Sequence, residues 1–386
     1  MSRGFRQWGT LLLRLAYLGF AVLPVTLAAW PQVIAYRYPA PGVWDAYRSV
    51  AIYPTDVLVA LILVCWASGR WLGLVSGGVE VTGRLPLRGR RLSWGAWGIH
   101  AAAGVLIVLG LVSVAQAPSR VIASAVVVRL GLGWLLYQFV VLEGHVLRRV
   151  VPVFALVLVV QAVVGTAQVI GQSTFPLSWI YPAWSADLRA ADPGASVIQA
   201  ADGIRFLRAY GTFPHPNILG GFAAVVLPLT LGRFGAARGK PQLVIAAAVL
   251  LGLSTLVLAF SRGAWLAFAA GLSISGLLWL PARRPRLRLR PLLLLGAASL
   301  ILVIGLGLAL RAQVMARLSV ETVLELRSVV ERSMLQDYAQ GVIAEQPLRG
   351  VGAGNYILAV RHRVPPPVTL EPPHNVPLLV AAELGL

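Results

Sequence analysis

Acidic residues are scarce in this chain and cysteine is almost absent. Its 386 residues hold 14 Asp and Glu against 33 Lys and Arg, and one cysteine, Cys65. A single cysteine excludes an intramolecular disulfide, and its place inside an apolar run reads as a small core residue. Charge of either sign is sparse: 12% of the residues are charged and 58% are hydrophobic, which excludes an ordinary soluble domain. No repeat or low-complexity tract is evident. Gly350, Gly352 and Gly354 are closely spaced, but no strand precedes them and their spacing is not that of a dinucleotide-binding fingerprint.

What is present is apolar sequence in stretches of about 20 residues, the length of a membrane-crossing helix. We read nine complete spans and the start of a tenth: 10–30, 50–66, 95–114, 121–142, 150–170, 217–232, 242–260, 264–280, 292–310 and 376 onward. The expected fold is therefore all-α, a polytopic transmembrane helical bundle. Arg3 and Arg6 before the first apolar run resemble a secretory signal, but the many later spans favour a retained first span.

The net charge of +19 suggests nucleic acid until the charges are placed. With the N-terminus inside, seventeen basic residues fall in the inner connections, among them Arg70, Arg148, Arg149, Arg233, Arg238, Lys240 and the run at 283–290, against Glu80 and Glu143. The outer connections hold fourteen basic residues against ten acids, although they are longer. This asymmetry predicts a cytoplasmic N-terminus and no nucleic-acid partner. Two spans carry a charge at depth, Asp56 and Arg129, each placed about two turns from the outer end. Such charges are costly in lipid, so they are expected to form a structural ion pair.

Two outer connections are long. The first, from about 171 to 216, is rich in Trp, Tyr, Pro and Asp and should be folded. The second covers 311–375. Within it Val323, Leu326, Val330, Met334, Tyr338 and Val342 recur at helical spacing, as in an amphipathic helix.

Candidate chemistry clusters in these outer segments. In Arg208-Ala-Tyr-Gly-Thr-Phe-Pro-His215-Pro-Asn217, Asn217 is a plausible N-cap of the next span. A helix N-terminus with Arg208 beside it suits a phosphate; a Pro-stiffened start with a solvated arginine explains the same residues. Ser261-Arg262-Gly263 joins two spans with almost no loop, so Arg262 either snorkels or faces the protein interior. Glu371-Pro-Pro-His374-Asn375 precedes the last apolar run; His374 is either a general base or an interfacial histidine at a helix cap.

The ordered set resembles the O-antigen ligase and O-antigen polymerase superfamily of bacterial membrane glycosyltransferases. The elements are Gly-Thr-Phe…Pro-Asn, Ser-Arg-Gly, then Arg332 with Leu335 and Tyr338, Gln346-Pro-Leu-Arg-Gly-Val-Gly352, His374-Asn375 and Glu383-Leu-Gly385. The likeness covers roughly 205–386, which divides the chain into an N-terminal bundle at 1–204 with five spans and a ligase/polymerase-like region at 205–386. It implies transfer of a glycan from undecaprenyl pyrophosphate to an acceptor hydroxyl at the outer face of the bacterial inner membrane, in cell-surface polysaccharide or lipopolysaccharide biosynthesis. No nucleotide sugar, metal or other cofactor is implied. The acceptor would be a glycolipid, a growing glycan or a protein. Arg208 and Arg262 would bind the pyrophosphate and His374 would act on the acceptor hydroxyl, with Arg332, His215, Asn217 and Asn375 as further substrate contacts. The three catalytic candidates are expected to line one outward-opening cavity. Members of the superfamily continue beyond the His-Asn motif for at least one span, and this sequence reads as stopping at Leu386 inside it. A transporter or flippase of lipid-linked glycans, or an inactive truncated homologue, are the alternatives.

Overall fold

A computed structural model describes residues 2–29, 31–75, 94–175, 187–200, 202–279, 289–318, 323–364 and 370–385. The arginines at 84–91, the run at 283–288 and part of the first long outer connection lie outside the described residues. The chain begins with helix α1 (Ser2–Leu27), then strand β1 (Val33–Arg37), the helical turn α2 (Asp45–Arg48) and strand β2 (Ser49–Ile52). Helices α3 (Pro54–Val75), α4 (Trp94–Ser113), α5 (Arg120–Leu142) and α6 (Leu147–Gly171) follow, then strands β3 (Val197–Gln199) and β4 (Arg205–Leu207). Helices α7 (Pro216–Phe234), α8 (Lys240–Leu258), α9 (Arg262–Trp279) and α10 (Leu289–Ala309) come next. The last elements are α11 (Arg311–Leu318), α12 (Val323–Glu345), α13 (Tyr356–Val360) and α14 (Val376–Leu384).

A helix stands at each of the ten expected spans, and among the described residues seven are long and apolar enough to cross a membrane. Many of their large side chains face outward: Ile170 is 80% exposed, Leu266 73% and Ile301 72%. Such apolar surface is favourable only in lipid, where each helix also satisfies its own backbone. The protein is an all-α, multi-pass membrane protein.

Two compact units account for the chain. The first comprises 1–20, 32–144 and 325–386, and the second 21–31 and 145–324. In the second unit Leu158 of α6, Leu227 of α7, Val249 and Leu253 of α8 and Ala264 of α9 form the core. Gly252 permits close packing of these helices: a Cβ there would lie 2.5 Å from Leu158 and 2.8 Å from Leu227. In the first unit, Ile122 of α5 packs with Ala339 and Val342 of α12, Tyr356 and Ile357 of α13, and Ala382 of α14.

Several expectations need correction. The second span starts at Pro54 rather than residue 50, because Ser49–Ile52 pairs with Val33–Arg37 as an antiparallel hairpin. Proline at the head of a helix loses no hydrogen bond, so the strand hands over to α3 there. Asp56 consequently sits in the first turn of α3 rather than two turns deep, and Arg70 belongs to the helix rather than to a connection. The helix is present as α12, but its apolar residues do not segregate as expected: Leu335, Ala339 and Val342 are buried, while Leu326 and Val330 are exposed. The buried set uses a small alanine at i+4, which allows the close packing that a count of large residues misses.

Candidate functional site

Arg208 follows β4 and is only 3% exposed. Its neighbours explain how a guanidinium tolerates burial. Strands β3 and β4 pair antiparallel with Val197 opposite Leu207, which brings Ser196 beside Arg208. One terminal nitrogen of Arg208 donates to Ser196 Oγ at 2.8 Å, and the other to Asn217 Oδ1 at 2.6 Å. Nε donates to the Ala259 carbonyl at 2.9 Å. These three oxygens are neutral, so they orient the group without cancelling its charge. Tyr210 lies close by, and its hydroxyl accepts the Ser196 N–H at 2.6 Å. Burial raises the Tyr210 pKa, against the lowering effects of that hydrogen bond and of the Arg208 charge, so the phenol stays neutral.

The Ala259 carbonyl belongs to the sharp corner between α8 and α9. Phe260 there is fully buried with φ of 44°, a left-handed conformation that bulky residues adopt only when packing holds them. The next carbonyl, of Phe260, accepts from Nε of Arg317 on α11 at 2.9 Å. Arg262, half-buried, opens α9 two residues later. The Arg208 and Arg317 guanidinium groups thus sit on adjacent carbonyls, with Arg262 two residues along the chain at the head of α9. Arg317 carries no motif of its own, and no sequence signal singled it out.

The segment Tyr210-Gly211-Thr212 is buried although it is not helical, and two glutamines of α6 satisfy its backbone. Gln168 Oε1 accepts from the N–H groups of Tyr210 at 3.0 Å and Gly211 at 2.8 Å, and its amide donates to the Gly211 carbonyl at 2.9 Å. Gln161 Oε1 accepts from Thr212 N–H at 2.7 Å, and its amide donates to Thr212 Oγ1 at 2.9 Å. Gly211 has φ of 59°, and a Cβ there would lie 2.2 Å from Gln161 Oε1.

The start of α7 differs from expectation. His215, not Asn217, is the N-cap: its Nδ1 accepts from Asn217 N–H at 3.1 Å. Pro216 occupies the first helical turn and has no N–H. The amides of Ile218 and Leu219 bond the His215 carbonyl at 2.9 and 3.3 Å. This helix start therefore presents no free amide cradle from residues 216–219, and the positive charge nearby comes from guanidinium groups.

His374 and Asn375 lie in the other compact unit. Asn375 is the N-cap of α14 and accepts from Leu378 N–H at 3.2 Å. His374 is half-exposed, with Nε2 3.5 Å from the Glu371 carboxylate. The Glu371 charge also acts on Tyr47, whose pKa is pushed up to about 12, chiefly by burial and then by that charge. A carboxylate beside an imidazole orients the ring.

Helix α14 is anchored at its far end by the glycine-rich loop. Val351 and Gly352 donate to the carbonyls of Ala382 and Glu383, both at 2.9 Å. The Glu383 carboxylate accepts from Gly354 N–H at 2.8 Å and Tyr356 N–H at 3.3 Å. Gly350, Gly352 and Gly354 all have positive φ. Asn355, fully buried, accepts from Ser119 N–H at 2.8 Å, and Ser119 caps α5. The two motifs, Arg349 to Tyr356 and Glu383 to Gly385, thus form one clasp that fixes the helix bearing His374 and Asn375 at its head.

Arg332 lies on α12 in the same unit, half-buried, and its Nε is buried without a hydrogen-bond partner among the described residues. Asp56 and Arg129 meet at 2.8 Å, and Arg129 also donates to the Ala51 carbonyl of β2. Among the described residues, no three His, Cys, Asp or Glu side chains group so as to hold a metal ion.

No curated protein and no solved structure matches this chain. Residues 247–386 match the family model described as O-Antigen ligase. That stretch holds the α8–α9 corner with Arg262, Arg317 on α11, and the clasp with His374 at the head of α14. By this match the region from residue 247 onward is similar to O-antigen ligases, which agrees with the superfamily resemblance of its motif order.

Proposed function

We propose that the protein transfers a glycan from undecaprenyl pyrophosphate to an acceptor hydroxyl at the outer face of the bacterial inner membrane. The observation that carries this reading is that Arg208 and Arg317 donate to the adjacent carbonyls of Ala259 and Phe260, at the corner where Arg262 opens α9. Guanidinium groups held at one corner make a positive local field that favours an anion. A pyrophosphate supplies several negative oxygens and suits their planar donors. When the acceptor oxygen attacks the anomeric carbon, the bond to the pyrophosphate oxygen breaks and negative charge grows on that leaving group. Fixed guanidinium groups stabilise that charge with little reorganisation.

The acceptor hydroxyl must give up its proton. His374, paired with Glu371, is the side chain we assign to take it. Asn375, as the cap of α14, and Glu383, through the clasp, are positioning residues for His374. Arg332, His215 and Asn217 remain proposed substrate contacts, and Asn217 in addition holds Arg208. The acceptor is a glycolipid, a glycan or a protein hydroxyl.

The test is transfer of a labelled glycan from its lipid carrier by the purified chain in nanodiscs, alongside carrier binding. Release onto an acceptor that depends on Arg262 supports the reading. Movement of the intact lipid-linked glycan across the bilayer without transfer would replace it with a flippase.

A further inference from the structure

The second unit carries a groove that the transfer reaction does not use. It lies where α6 begins, α7 ends and α8 begins, with a cavity volume of about 660 Å³. Val151, Pro152 and Ala155 of α6 form one apolar wall, and Val244 and Ile245 of α8 the other. Arg233, Arg238 and Lys240 line it from α7, the intervening turn and the first residue of α8. All three cations are exposed, and none has an acidic partner among the described residues. No acidic side chain lines the groove.

This combination is specific in its chemistry. A cluster of cations at the end of two spans attracts an anion, and an apolar channel running from that cluster between the helices suits a hydrocarbon chain. A soluble anion would use only the first feature and a neutral lipid only the second. The charge asymmetry of the chain puts this end of α7 and α8 on the inner side, where anionic phospholipid is abundant. We propose that the groove is a binding site for an anionic phospholipid, with its phosphate among Arg233, Arg238 and Lys240 and one acyl chain between α6 and α8. The lipid would brace α6, α7 and α8, the helices whose outer halves hold Gln168, the start of α7 and the corner at 259–262. The site is independent of whether the protein is a transferase.

The experiment is native mass spectrometry of the full chain, released from detergent with equimolar phosphatidylglycerol and phosphatidylcholine of matched acyl chains. Phosphatidylglycerol should be retained over phosphatidylcholine by roughly tenfold or more, given three cations at a membrane surface. The triple variant Arg233→Gln, Arg238→Gln, Lys240→Gln should lose that preference. Ala155→Phe, which fills the channel and leaves every charge, should lower retention of phosphatidylglycerol. A control with the same charge loss elsewhere, Arg120→Gln, Arg189→Gln, Arg311→Gln, should retain the lipid as the unaltered chain does. Equal retention of the two lipids, equal loss in both triple variants, or full retention by Ala155→Phe overturns the proposal. So does displacement of the lipid by millimolar inorganic phosphate, which would mark a small-anion site.

Discussion

Buried polar side chains decide how the segment before α7 is held. Gln168 alone accepts two backbone N–H groups and donates to two carbonyls, those of Gly211 and Thr174. Replacing it with leucine keeps the volume and orphans those groups, each at about 1–3 kcal/mol. We expect Gln168→Leu to lower the thermal midpoint of the purified protein clearly, and Gly211→Ala to do so through both its φ and its collision with Gln161. A fluorescence melt of matched samples checks both. Arg208 is entangled in the same network, so Arg208→Ala tests folding as much as chemistry. Arg262, half-buried at the head of α9, is the cleaner probe. Arg262→Ala should cost about two to three orders of magnitude in transfer, as for loss of one preorganised charge-stabilising donor. Arg262→Lys should recover only part, since lysine lacks the planar fork. His374→Ala should abolish transfer while the lipid-linked donor still binds. Arg208, Arg262 and His374 stand out as candidates in the sequence because each lies in a short motif beside an apolar run. Arg317 and the α6 glutamines do not, because an arginine in a polar helix and a glutamine in a span reveal their partners only once the chain is folded.

At the scale of elements, the clasp explains why glycines recur at 350, 352, 354 and 385. A Cβ at Gly350 would lie 2.4 Å from the Glu383 carbonyl, and one at Gly385 would lie 2.5 Å from the Leu348 carbonyl carbon. Two backbones touch there, and only glycine leaves room while adopting positive φ. Glu383 adds a carboxylate for two amides. We expect Glu383→Ala to loosen α14 and faster hydrogen exchange to appear at Gly354 and Tyr356, with transfer falling in parallel and donor binding retained. Unchanged exchange at those amides would remove the clasp from the argument. The ten helices were legible from apolar run length, which lipid makes nearly sufficient. The two hairpins were not, since strands of three to five residues in mixed sequence have too little alternation to read. The start of α7 was misread by two residues because Asn is a commoner cap than His, and Pro216 settled the matter instead.

For the whole molecule, the distribution of arginine predicts that 171–215 and 311–375 lie outside. In a Cys65→Ser background, a cysteine at Ser333 should react with an impermeant reagent in whole cells, and one at Arg238 should react only after lysis. The reverse pattern would invert the orientation. The same scale gives meaning to the ion pairs between α3 and α5. Asp56, in the first turn of α3, meets Arg129, nearly three turns into α5, and Arg70 meets Glu143 at 2.6 Å near the ends of the two helices. Glu143 is fully buried and also accepts from Trp66 and Tyr17. Arg70→Ala would leave that carboxylate without its cation, at about 3–5 kcal/mol.

The order of signs along these helices carries further information. On α3 the acid comes first and the base fourteen residues later; on α5 the base comes first and the acid fourteen residues later. Parallel helices bring unlike charges together at both ends. Were α5 inserted in the opposite sense, acid would face acid and base would face base, four turns apart. The two bridges thus work as a polarity key, rejecting a backwards α5 while the spans are being assembled. Exchanging one pair, Asp56→Arg with Arg129→Asp, keeps both bridges in the native arrangement but lets them form in the reversed one as well. Such a protein should be about as stable once folded, yet yield a larger fraction of chains with the loops flanking α5 on the wrong sides of the membrane.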